Sequence, residues 1–296
     1  MDRGQIEATY RDIQSNLCDV LEAADGKSTF GTDSWDRPGG GGGVTRILAG
    51  DGHLEKAAVN FSAVEGETPE RLSERLAGES SHFFATGVSI IVHPRNPHAP
   101  TFHANIRYFE TDGGHAWFGG GADLTPHYLY ADDARHFHET MKAACDRHEV
   151  ADYRAWKKAC DEYFYLPHRG EARGVGGIFF DHLTDRLEEV WEFQSDLGWS
   201  LAGSYIPILE RRVAAPFGEA ERSWQEIRRG RYAEFNLVWD RGTRFGLETS
   251  GRTESILASL PPRARWIYAQ VPEPGTPESI LLETLRAEPR DWISEG

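Results

Sequence analysis

The stretch VSIIVHPRNPHAPTFHANIRYFE, Val88–Glu110, decides the fold. Two runs of strand-forming residues flank PRNPHAPT, a loop with three prolines. Side chains alternate faces along a strand, so Ser89, Ile91 and His93 share one face of the first run. In the second, His103, Asn105 and Arg107 stand together, opposite Phe102, Ala104, Ile106 and Tyr108. One face is core; the other is a row of imidazole, amide and guanidinium, either the floor of a cleft or a solvated sheet face. The prolines stiffen the loop between the strands, and His98 within it is expected to face solvent.

Working outward, KAAVNFSAV before this stretch and HAWFGGGADL after it read as further strands, with Asp112-Gly113-Gly114 as a turn. Ile6, Tyr10, Ile13, Leu17 and Leu21 recur at helical spacing and predict a first helix ending near Gly26. Gly39–Gly43 lacks the Gly-Lys-Ser/Thr ending of a phosphate loop and is read as a flexible loop ahead of a strand. Helices are predicted from Pro69, over Asp132–Arg147, over Val150–Tyr165, over Thr184–Arg212 with a break at Pro207, and from Thr253. GIFFD reads as a short buried strand, AEFNLVWD and TRFGLE as a hairpin around Asp240-Arg241-Gly242, and RWIYAQV as a last strand. Strands and helices come in clusters, so the expected class is α+β, a largely antiparallel sheet covered by helices. No linker divides the 296 residues, which are expected to form one domain.

A formal charge of −15 argues against nucleic acid and anionic membranes as partners. An anionic ligand must then find a local cluster of arginine. Only five of the 32 basic residues are lysine. That bias either equips the chain to grip carboxylates with two bonds or reflects base composition or a salty habitat. Cys18, Cys145 and Cys160 form no C-x-x-C pair, there is no apolar signal core, and no run is long enough to span a membrane. The expected location is the cytoplasm.

Two further clusters carry chemistry. In RHFH, Arg135–His138, the two histidines point about 200° apart on a helix. His138 borders the apolar stripe, as a functional group or as a hydrogen-bonded boundary residue, and His136 points away. In YLPHRGEARGVGGIFFDHL, His168, Arg169 and Arg173 precede a glycine-rich bend, and Asp181 ends an apolar strand. Asp181 is either half of a structural ion pair or a carboxylate with a tuned pKa.

With these residues on the page, the chain resembles the oxygen-dependent coproporphyrinogen III oxidases of haem biosynthesis. The resemblance runs through SWDRPGGGGGVTRIL, KAAVNFSAV, HPRNPHAPTFHANIRYF, WFGGGADLTPHYLY, YFYLPHRGEARGVGGIFFDHL and YAEFNLVWDRGTRFGLETSGRTESILASLPP. It implies a flat seven-stranded antiparallel sheet flanked by helices, and a homodimer joined through Tyr232 to Ile267. It also implies conversion of two propionates of coproporphyrinogen III to vinyls, giving protoporphyrinogen IX, with molecular oxygen as co-substrate and no organic cofactor.

By the same resemblance, Ser89, Asn105, Arg107 and the segment Ser250-Gly251-Arg252 bind the substrate, and His103 is the proton donor. Arg169 and Asp181 act near the pyrrole; our own expectation is that a carboxylate such as Asp181 takes the pyrrole proton. His93, His103, His138 and His168 are candidate ligands of a divalent metal, or else hydrogen-bond donors. Three departures from the family pattern stand at Ser250, His127 and His182. A metal-dependent hydrolase and a tetrapyrrole-binding protein are the rival readings, separated from this one by oxygen uptake and CO2 release.

Overall fold

The computed structural model describes residues 2–68, 81–248 and 251–294. The helix expected from Pro69 and residue Ser250 lie outside them. Seven strands form one antiparallel sheet in the order β1-β2-β3-β4-β5-β6-β9. They are β1 (Gly31–Asp36), β2 (Gly41–Leu48), β3 (Leu54–Glu67), β4 (His82–Pro94), β5 (Thr101–Thr111), β6 (Ala116–Thr125) and β9 (Gly176–Leu183). A two-residue hairpin, β7 (Tyr165–Leu166) and β8 (Glu171–Ala172), stands apart. The expected α+β class holds.

One face of the sheet is the main core. Phe102, Ala104, Ile106 and Tyr108 of β5 bury against α1 (Arg3–Asp25), α2 (Ala131–Asp146) and α4 (Leu187–Arg212). Each such Ile or Phe contributes about 1.5–3 kcal/mol by leaving water. Helix α1 ends where the spacing predicted, with Gly26 in the left-handed region at φ 76. Helix α3 (Tyr153–Tyr163) lies along the β9 edge, placing Trp156 on Phe180 of one face and Tyr163 on Phe179 of the other. It covers a row of backbone groups that would otherwise invite pairing. Pro207 does not break α4. Its missing N–H leaves Gly203 O without the usual helical donor, and His136 Nε2 bonds that oxygen instead at 3.0 Å.

The glycine run is not a loose loop. It makes the β1–β2 turn and enters β2, where Gly41 has φ 73 and a Cβ would stand 2.2 Å from Ala63 O. The expected hairpin after residue 232 is a correction of larger scale. Helix α5 (Glu219–Glu234) runs on as a π-helical turn, Phe235–Trp239, into α6 (Arg241–Glu248). Phe235 is buried against Phe164 and Tyr163, and this packing overrides the β propensity of FNLVW. The turn-like Asp240-Arg241-Gly242 is a helix start, Asp240 accepting from Thr243 N at 2.7 Å. RWIYAQV is irregular rather than a strand. The short α7 (Thr253–Leu257) starts where expected, while α5 and α8 (Pro277–Arg286) occupy segments the sequence left unassigned. Among the described residues no helix is long and apolar enough to cross a membrane.

Gln194 of α4 reaches up from the core to the sheet. Its Nε2 donates to Gly119 O at 2.9 Å and Arg107 O at 3.3 Å, and Tyr10 OH donates to its oxygen. Gln194→Leu strands these buried groups and costs about 2 kcal/mol, to be read as a lower urea midpoint.

Candidate active site on the open sheet face

Strand register places the chemistry. On the face opposite the core, one row across the sheet reads Asp33, Thr45, Asn60, Ser89, Asn105, Gly121 and Phe179. The next reads Trp35, Gly43, Ser62, Gly87, Arg107 and Gly119. A third carries Ile91, His103 and Asp123. Ser89 thus lies directly opposite Asn105, and the polar row of β5 continues onto both neighbours. Its middle is floored by glycine and serine, which let a flat ligand approach the backbone.

Arg107 is the hub. Its Nη1 donates to Asn105 Oδ1 at 2.9 Å, and its Nη2 lies 2.8 Å from Asp181 Oδ1. Asp181 shares this face with Phe179 by alternation and stands at a β-bulge whose extra residue is His182. Phe118 pairs with Leu183 and Gly120 with Phe180, leaving Asp181 and His182 both opposite Gly119. A Cβ on Gly119 would stand 2.6 Å from Asp181 Oδ1 and 2.8 Å from Arg107 Nη2, so glycine is what makes room for the pair. Burial pushes the Asp181 carboxyl up, but Arg107 and then His182 outweigh it and hold it below its usual value.

His103 has a buried support that sequence reasoning missed. Its Nδ1 bonds Asp123 Oδ1 at 2.7 Å, and Asp123 takes two 2.7 Å bonds from Arg173. Arg173 also donates to Asn236 at 3.0 Å and lies under the rings of Phe164, Tyr232 and Phe235. Burial raises the Asp123 carboxyl, yet Arg173 and His103 bring it below its usual value. An ionised Asp123 fixes the proton on Nδ1 and leaves the lone pair on Nε2. The period-two alternation that grouped His103 with Arg107 also groups Gly119, Gly121 and Asp123 on β6, so the signal was present.

The remaining candidates scatter. Arg252 pairs with Asp33 at the β1 edge, on the same sheet face, beside a cavity of about 430 Å3 lined by Thr45, Ile47, Glu254 and Ser255. Four strand spacings separate Asp33 from Asn105, about 19 Å, and the cavity does not reach Asn105 or Arg107. Gly251 donates its N–H to Gly246 O at 2.8 Å. The carboxylate partner of Arg169 is Glu234, gripped through two nitrogens at 2.8 and 2.6 Å.

The four histidines do not come together. His93 is buried, bonded to Ser259 O and Thr101. His138 lies on α2, bonded to Tyr153 OH and Val175 O. His168 joins Glu234 and Trp239. Burial drives His93 well below the usual range and His138 down to about 4. With both ring nitrogens of these three occupied, the residues do not fit a metal centre. Among the described residues no three His, Cys, Asp or Glu are grouped to hold one. Of the departures, His127 is buried, and Trp224 donates to its carbonyl at 2.6 Å; His182 joins the bulge.

Glu234 supplies a pH signature. Burial raises its carboxyl, but Arg169, His168, Trp266 and Arg231 take it down to about 2. The unfolded carboxyl titrates near pH 4.3, roughly two units higher. The ion cluster therefore stabilises the fold fully above that pH and loses its contribution as pH falls through about 2. Wild type should lose urea resistance over this window more steeply than Glu234→Gln.

An open, glycine-floored sheet face with a hub arginine, an ionised aspartate and a histidine of fixed tautomer belongs to an enzyme acting on a polyanionic organic molecule. The family model for coproporphyrinogen III oxidase matches residues 5–292, so the chain belongs to the coproporphyrinogen III oxidase family. It is 48% identical to the oxygen-dependent coproporphyrinogen-III oxidase, chloroplastic, of Glycine max, over 98% of this chain and 80% of that one. It is 47% identical to coproporphyrinogen-III oxidase 1, chloroplastic, of Arabidopsis thaliana, over 98% of this chain and 79% of that one.

Proposed function

We propose that the enzyme binds coproporphyrinogen III on this open face and there converts two of its propionates to vinyls with molecular oxygen, giving protoporphyrinogen IX. The observation that carries the reading is the Ser89–Asn105–Arg107–Asp181 constellation on its glycine floor. For each vinyl, a C–H bond at the propionate carbon next to the ring and the bond to the carboxylate both break. CO2 leaves as the electrons of its bond form the vinyl double bond, and the hydride equivalent, carrying two electrons, together with one proton converts O2 to hydrogen peroxide.

Arg107, with Asn105 and Ser89, orients a propionate by charge-assisted hydrogen bonds. Arg252 meets another at the β1 edge once Asp33 yields. Asp181, held ionised, accepts from a pyrrole N–H. As the ring loses a hydride equivalent and becomes positive, that bond strengthens, which is transition-state stabilisation. Its depressed pKa narrows the expected base to a fixed anion that takes the pyrrole proton only in passing. His103, its Nδ1 proton held by Asp123, takes up a proton at Nε2 and passes it to reduced oxygen. Arg169, clasped by Glu234, orders the segment leading to Arg173. The histidine set supports no metal step.

Leu237, Val238 and Trp239, turned outward by the π-helical turn, and Trp266 and Ile267 form an exposed apolar strip within the expected dimer segment. This supports a homodimer, checked by light scattering. Phe235 of the same segment is buried and takes no part in the strip. Three free buried cysteines support a reducing compartment, the cytoplasm in our reading, checked by cell fractionation. The function is tested by incubating coproporphyrinogen III with the enzyme in air and under argon. Product fluorescence after oxidation, with CO2 release in air alone, is expected; equal turnover under argon, or ligand bound without CO2, refutes it.

A further inference from the structure

The bulge in β9 holds a histidine where the backbone favours glycine. His182 has φ 52, in the left-handed region that side-chain-bearing residues rarely adopt. Its imidazole stacks on Trp117, with centroids 5.2 Å apart and planes 10° apart. The stack continues from Trp117 to Phe109 at 4.3 Å and from Phe109 to Phe83 at 5.6 Å. Three strands therefore brace one strained residue, the condition under which such strain persists at working sites.

What the brace fixes is the neighbouring carboxylate. His182 N donates to Asp181 Oδ1 at 3.0 Å, and His182 Nδ1 stands 3.4 Å from the same oxygen. Arg107 Nη2 approaches that oxygen too, at 2.8 Å. With three nitrogens on Oδ1, Oδ2 is the oxygen available to a ligand.

We propose that His182 is a positioning residue, which, clamped on Trp117 in a left-handed bulge, pins Asp181 Oδ1 from β9 while Arg107 pins it from β5, presenting Oδ2 to the substrate's pyrrole N–H. This rests on the reading that Asp181 meets the pyrrole. A residue that cannot hold the turn withdraws the N–H and the imidazole together and lets the carboxylate follow Arg107 away from the ring. The charged groups facing Asp181 are Arg107 and His182 alone among the contacts described, so losing His182 also lets the Asp181 carboxyl rise.

The test is steady-state kinetics with coproporphyrinogen III in air, across pH, on His182→Val, His182→Asn, His182→Gly and Asp181→Asn, each checked for folding by circular dichroism. Valine is excluded from the left-handed region, whereas asparagine and glycine enter it. We expect His182→Val to lower kcat about tenfold or more with KM within about twofold, and the acid limb of the pH profile to move upward. His182→Asn should return kcat to within about threefold of wild type. A folded His182→Val with wild-type kcat and an unmoved acid limb, beside an impaired Asp181→Asn, overturns the positioning role. Wild-type kcat in Asp181→Asn overturns the reading beneath it. If the valine variant does not fold, His182→Gly decides: the turn survives, the imidazole is gone, and an acid limb that stays in place overturns the proposal.

Discussion

Arg107→Met lowers kcat/KM for coproporphyrinogen III by one to two orders of magnitude. The guanidinium bridges Asn105 and Asp181 and is the cation best placed to receive a propionate. A hydrogen bond to a charged group is worth about 1.5–3 kcal/mol, which converts to roughly 10- to 150-fold. Two further effects separate this from a loss of packing. Asp181 loses its main source of stabilisation as an anion, so the acid limb of the pH profile moves upward. Arg107→Lys recovers the charge but not both bonds at once, and is expected to stay well below wild type. Steady-state kinetics on the three forms check this; equal kcat/KM for methionine and wild type sinks the assignment.

The second large effect is on stability and turnover together. Asp123→Asn leaves Arg173, 1% exposed, as a buried cation without its carboxylate. Breaking a buried pair from one side costs about 3–5 kcal/mol. Turnover falls as well, because an amide no longer dictates which nitrogen of His103 carries the proton. Asp123→Leu with Arg173→Met removes both charges and is expected to regain most of the melting temperature without regaining kcat, since replacing a whole buried pair is often neutral. Thermal melts beside kinetics read the two outcomes apart. If the double variant turns over like wild type, the His103 role is wrong.

Much of this was legible from period-two alternation. Applied to Val88–Glu110, it separated the core face from the polar face and grouped His103, Asn105 and Arg107 correctly. The rule failed where tertiary packing outweighed local propensity. FNLVW has strand-like composition, yet Phe235 drops into the Tyr163–Phe164–Phe179 cluster and draws the segment into a helix. Asp240 misled for a different reason, because aspartate opens both turns and helices. The bulge at Asp181 and His182 was invisible, since alternation assigns neighbours to opposite faces and an extra residue puts them on one. The histidines illustrate the limit of counting residue types. His93 and His138 are buried, each held at both ring nitrogens by its own neighbours, and nothing in their spacing reveals that.

The three aromatic rings over Arg173 divide the arginines of this face into two electrostatic populations. Arg107 and Arg252 are 37% and 30% exposed, within reach of dissolved ions, whereas the Arg173 guanidinium is sealed from them. Ionic strength discriminates between the two, because mobile ions screen exposed charges over about 10 Å at 0.1 M and leave interior ones nearly untouched. Raising sodium chloride should therefore weaken capture of the tetra-anion while the rate at saturation barely moves, so a simple salt titration reports separately on the grip and on the proton supply.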